Sequence, residues 1–191
     1  MQRTRARILK AIAPCWYGGW LFQSLWQILF CYNSHLSLAA CAPMLLGATL
    51  CFRAAFDRTH AILTETQAFS ALTRATLTAA SAINSAWLSV ATCLGILIAL
   101  SVNTHTDLVP VAVGLGGVLV ANGLSVARGH RSILHAATLV WSFAAIYAAQ
   151  AGKYVAIQRL SVGGGVALAI AGLLTLVRGG GSDMRAEAAS A

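Results

Sequence analysis

Six stretches of hydrocarbon length, each almost free of charge, alternate along this chain with polar breaks, all short but the one at 56–79. A helix rises about 1.5 Å per residue, so roughly 20 apolar residues cross the ~30 Å core of a bilayer. On that ruler the runs fall at about 12–32, 36–55, 80–102, 108–127, 133–151 and 156–177. The second is the least regular, because Pro43 and its polar edges shorten it. A bilayer offers the backbone no water, so such spans are helices that satisfy their own N–H and C=O groups. The pattern predicts an all-α protein, a polytopic integral membrane helical bundle of about six transmembrane helices. Composition agrees: 58% of the 191 residues are apolar, only 9% are charged, and the mean hydropathy is +0.74. Soluble domains carry about 25% charged residues. No length is left for a sizeable water-soluble domain beside the apolar runs.

The flanks set the orientation. Residues 1–11 form a basic N-terminal tail, 12–177 a single bundle, and 178–191 a Gly/Ala/Ser-rich tail expected to be disordered. The stretch 57–78 is polar and lacks a clean apolar face, which predicts a surface helix or an extension of the third span. Arg3, Arg5, Arg7, Lys10, Arg53, Arg58, Arg74, Arg128, Arg131, Arg178 and Arg185 all fall on one side of a six-span chain. Only Lys153 and Arg159 fall on the other. Cationic connectors stay on the cytoplasmic face. Both termini are therefore expected there, or on its organellar equivalent, in a bacterial inner membrane or an organellar membrane. The net charge of +8 does not predict nucleic-acid binding, because its bases sit between hydrophobic spans and not on one polar surface.

Ionisable groups inside a membrane are expensive and are kept where chemistry uses them. Asp57, Glu65, Asp107, Asp183 and Glu187 all lie outside the runs. That argues against a proton- or sodium-driven carrier and against an aspartyl or metal-dependent intramembrane protease. No enzyme is expected. The five cysteines form no C-x-x-C pair, and His35 and His105 fall in short loops near Asp107, so no metal site is predicted. Two histidines at matching depth, as a haem would want, are not found, and no cofactor is specified.

The first run, CWYGGWLFQSLWQILFC, carries the most information. On a helix, positions i, i+4, i+7, i+11 and i+14 share a face. Here they are Trp16, Trp20, Gln23, Gln27 and Phe30. Lipid tails cannot bond an amide, and each buried, unpartnered amide costs roughly 2–7 kcal/mol. The face should therefore look inward. The third span adds Asn84 and Trp87 above Ala91, with Ser81, Ser85 and Thr92 alongside. Later spans add Asn122, Ser125, Thr138, Trp141 and Ser142. Trp16, Trp20, Gln23, Gln27, Asn84, Trp87 and Trp141 are the expected ligand-binding residues of a neutral, aromatic-walled cavity. The competing reading is interhelical hydrogen bonding, worth about 0.6 kcal/mol per bond on average, with Trp16 and Trp20 in the interfacial aromatic belt. Gly117 with Ala121, and the stripe Gly165, Ala169 and Gly172, are expected helix contacts.

Three segments, WYGGWLFQSLWQILF at 16–30, SAINSAWLSVAT at 81–92 and HAATLVWSFAAIY at 135–147, resemble tryptophan-rich sensory proteins of the TspO/MBR type and their six-span relatives. The resemblance implies a compact helical bundle that binds tetrapyrroles or sterols. It implicates Trp20, Gln27, Trp87 and Trp141 as cavity-lining. The chain departs from that family in its low aromatic content of 8%, in a sixth span, and in having no sterol-recognition pattern near its C-terminal end. The leading expectation is a membrane protein that binds a small hydrophobic ligand, tetrapyrrole- or sterol-like, in a neutral Trp-lined cavity without covalent chemistry. Alternatives are a structural or accessory subunit of a larger membrane protein complex, or a facilitative carrier for a neutral solute. The expected partners are the lipid bilayer, a hydrophobic small molecule, and a homo-oligomer or larger membrane complex.

Overall fold

The chain folds into six helices: α1 (Gln2–Cys31), α2 (His35–Thr66), α3 (Ala71–Ala99), α4 (Leu108–Ala127), α5 (Ile133–Ala149) and α6 (Val155–Ser190). The computed structural model describes the backbone of residues 2–66, 71–100, 108–127, 133–150, 152 and 155–190. Side chains are described from 6 to 177 within those ranges, except at 66, 71, 74, 75, 108, 125, 127, 156 and 176.

Among the described residues, His35–Glu65, Thr76–Ala99 and Ile157–Thr175 are long and apolar enough to cross a membrane. Val109–Leu124 and Ile133–Ala149 are apolar but shorter. α1 is long enough, but Trp16, Tyr17, Trp20, Gln23 and Gln27 lower its hydropathy. Four helices outrun the hydrocarbon length, α1, α2, α3 and α6, each of 29 residues or more. The polar stretch 57–78 is shared between the last turns of α2 and the first turns of α3, with 67–70 outside the described residues. α6 runs on to Ser190, and the segment DMRAEAAS that closes it is rich in strong helix formers.

The turn between α1 and α2 is tight and specified locally. Asn33 takes a left-handed φ of 46°, a conformation open mainly to Gly, Asn and Asp. Ser34 then caps α2: the Ser37 N–H donates to Ser34 Oγ at 3.2 Å, and the Ser34 N–H donates back to Ser37 Oγ at 3.0 Å. This reciprocal pair is a capping box with serine in the place of glutamate. Ser34→Ala is expected to cost about 1 kcal/mol, read as an earlier midpoint when far-UV circular dichroism follows unfolding by SDS.

The chain divides into two compact units, Met1–Leu115 and Gly116–Ala191. In the first, α1 and α2 run antiparallel, and small residues set their spacing. A Cβ at Gly19 would lie 2.8 Å from the Phe52 ring, and one at Gly47 would lie 3.1 Å from the Phe22 ring. Leu45, Ala48, Phe52 and Leu88 form the buried core here, with Trp16, Phe22, Trp26, Trp87 and Ala91 packed against it. α2 meets α3 through the Thr49 and Thr92 hydroxyls, 3.0 Å apart, and through Gly95 against Ala42 and Leu45.

The charged end of this unit has its own fastenings. Arg7 pairs with Glu65 at 2.9 Å beside the Ile8, Ile62 and Leu63 cluster. The pair is 60% and 58% exposed, so it adds at most about 1 kcal/mol. Pro14 removes one helical N–H donor from α1. Near that gap Arg58 Nη1 donates to the Ala11 carbonyl at 3.1 Å and to Cys15 Sγ at 3.0 Å.

In the second unit α5 and α6 run antiparallel, with Gly164 seated on Phe143 and Gly172 on Ile133 and Ala136. α4 joins through Asn122 Oδ1, 3.0 Å from Nε2 of the buried His135. Asn122 Nδ2 donates to the Val118 carbonyl, which fixes Oδ1 as the acceptor and Nε2 as the protonated ring nitrogen. Of the expected small-residue contacts, Gly172 is one. Gly117 and Ala121 are exposed, and a Cβ at Gly117 would meet nothing within 4 Å.

Candidate ligand-binding groove

A cavity of about 170 Å³ opens between α1, α2 and α3. α1 contributes Trp26 and Phe30, one turn apart, with ring centroids 6.0 Å apart. α2 contributes Leu38, Cys41 and Leu45. α3 contributes the single stripe Trp87, Ala91, Leu94, Gly95 and Ile98. These spacings follow the 3.6-residue period, so each helix presents one face to the same space. Gly95 allows the floor to close, because a Cβ there would lie 2.9 Å from Leu45 Cδ1. The Cys41 thiol points towards the Trp26 carbonyl at 3.9 Å, which occupies its weak donor within the wall. The floor is buried at Cys41 and Leu45, while Phe30 is 51%, Leu94 38% and Ile98 48% exposed. The groove therefore opens sideways, through an apolar rim.

Of the seven residues expected to line a cavity, Trp87 lines this one. The other six have different surroundings. Trp16 and Trp20 grip Phe52, meeting it edge-on at 5.4 Å and 5.7 Å with interplanar angles of 89° and 88°. Aromatic pairs of this geometry add about 0.5–1.5 kcal/mol each beyond the area they bury. Gln23 Oε1 is buried without a hydrogen-bond partner among the described residues, and Gln27 is exposed. Asn84 Nδ2 donates to the Ala80 carbonyl of its own helix at 2.8 Å. Trp141 belongs to the second unit and is 61% exposed.

The other span hydroxyls behave like Asn84. Ser81, Ser85, Thr92, Thr138 and Ser142 each donate to a carbonyl three or four residues back. Such local bonds satisfy a polar side chain without a partner helix, and Thr92 adds its contact with Thr49 of α2. The side chain of Ser125 lies outside the described residues, as do His105 and Asp107.

Sequence reasoning missed Trp26 and, as a lining residue, Phe30. The signal was present in Gly18-Gly19, which marks the side of α1 that a neighbouring helix approaches. Following that side by helical period leads from Gly19 through Phe22 to Trp26 and Phe30. The stripe through Gln27 is rotated by about 100° from it.

An all-helical bundle with membrane-length apolar helices and an aromatic, uncharged groove narrows the choice of family, and one comparison decides it. The profile of a family described as TSPO-like protein matches residues 1–177. This chain belongs to the TSPO-like family. Comparison with curated proteins and with solved structures gives no match. As a TSPO-like protein it is a multi-pass integral membrane bundle, in contact with the lipid bilayer. The six helices agree with the sequence expectation.

Proposed function

We propose that this TSPO-like protein binds a small, neutral, hydrophobic molecule in the groove between α1, α2 and α3, without covalent chemistry. The observation that carries the reading is the lining itself: three aromatic rings and seven small or aliphatic side chains, none of them charged, around about 170 Å³. Apolar walls with an aromatic face suit a neutral, flat or rod-like ligand. The tetrapyrrole- or sterol-like classes implied by the resemblance are the first to test, by way of their apolar edges. In this reading both termini lie on the cytoplasmic side, with the basic ends of α1 and α2.

Titration of a sterol or a porphyrin into the purified protein, followed by tryptophan fluorescence, tests the proposal. Saturable quenching is expected. Trp87→Ala is expected to weaken binding about tenfold, equivalent to about 1.4 kcal/mol, by removing one aromatic wall. Trp141→Phe should leave the affinity within twofold. Absence of saturable quenching, or equal effects of the two replacements, would overturn the reading.

A further inference from the structure

We infer that the resident occupant of the groove is the acyl chain of a membrane phospholipid, drawn from the leaflet opposite the basic end of the first unit. The inference rests on the groove being a binding site for apolar molecules and names what fills it in the membrane.

Size comes first. At about 170 Å³ the cavity falls below the ~300–1,000 Å³ of pockets that enclose drug-sized ligands. A rigid tetracycle or macrocycle is admitted there only by an edge, whereas a flexible alkyl chain can enter a narrow space lengthwise along its open side. Its length agrees. From Trp87 to Ile98 the α3 stripe covers eleven helical steps, about 16 Å, close to half of the ~30 Å hydrocarbon core. Access agrees as well, because the rim residues Phe30, Leu94 and Ile98 are exposed and apolar.

Charge selects among chain-bearing molecules. The groove lies towards the α1–α2 turn, away from Arg7, Lys10, Arg53 and Arg58. The sequence holds no Lys or Arg at 11–52 or 75–115. Those segments thus offer a free fatty-acid carboxylate no ammonium or guanidinium group at that end. A chain tethered to a zwitterionic headgroup needs none. Apart from the indole N–H groups of Trp26 and Trp87 the lining contributes no oxygen or nitrogen side chain, so a polar group drawn inside would lose its water for at most a few donors.

Brominated lipids give the test. The full chain, carrying Trp26 as its sole tryptophan with the other four changed to Phe, is reconstituted in vesicles of phosphatidylcholine brominated in mid-chain. Unbrominated vesicles serve as the reference. Trp26 emission is expected to be quenched strongly. Ala91→Leu, which fills the groove, should at least halve that quenching. Leu94→Phe, at the exposed rim, provides a second block that leaves the core untouched. A sole-Trp141 chain, with its ring on an exposed face, should be quenched equally with and without either block. Trp26 quenching that both blocks leave unchanged would overturn the inference. So would the absence of lipid quenching. Quenching of Trp26 by a freely diffusing bromoalkane, where the brominated lipid has no effect, would overturn the lipid assignment and leave the binding site standing. If neither probe reaches Trp26, both readings fall.

Discussion

Phe52→Ala is expected to be the most damaging single replacement in the first unit, lowering its stability by about 3–5 kcal/mol. Phe52 is fully buried, sits edge-on to both Trp16 and Trp20, and lies against the bare backbone of Gly19. Alanine would remove the ring that both indoles hold and leave a void that the helices cannot close, because Gly19 has no side chain to lend. Loss of near-UV circular dichroism at a lower SDS fraction would register it. Trp20→Phe is the graded control: its ring is 44% exposed, so only about 1 kcal/mol should go with the lost contact. A Phe52→Ala loss no larger than that of Trp20→Phe would mean that the α1–α2 seam is not centred on this ring.

The same seam shows which parts of the molecule were legible beforehand. The six helices were, because apolar runs of bilayer length have one backbone solution and polar breaks separate them. The site was legible only in part. Periodicity identifies the residues that share a face, but not what comes opposite that face. Trp16 and Trp20 share a face as expected, yet their partner is Phe52, thirty-odd positions away, and Trp20 stays 44% exposed. Amides and hydroxyls misled for a different reason. Asn84, Thr138 and Ser142 answer the desolvation cost with a carbonyl one turn back, which a sequence does not distinguish from a hydrogen bond to a ligand. Trp87 stands in the groove wall on the same stripe as Ala91, where a small residue leaves room beside a large one. The depth of the groove, near the α1–α2 turn, depends on how Leu45 and Gly95 meet, and no periodicity contains that.

Gly163, Gly164 and Gly165 put the difference between sequence and structure to a direct test. As letters they are equivalent; in the fold they are not. A Cβ at Gly164 would lie 2.9 Å from Phe143 Cε1 and 3.1 Å from Cδ1, and Phe143 is fully buried. A Cβ at Gly163 would meet nothing within 4 Å, and one at Gly165 would touch only Phe143 Cβ at 3.9 Å. Gly164→Ile must push the Phe143 ring or part α5 from α6, and overpacking of that kind costs about 1–3 kcal/mol. Gly163→Ala adds a methyl group into open space and removes the entropic penalty of a mid-helix glycine. It should therefore stabilise the second unit by up to about 1 kcal/mol. Opposite shifts of the unfolding midpoint are expected from neighbouring positions. The Gly164→Ile deficit should shrink when Phe143→Leu is added, because the smaller side chain vacates the space the isoleucine enters. Equal effects at 163 and 164 would show that α6 presents a different face to α5.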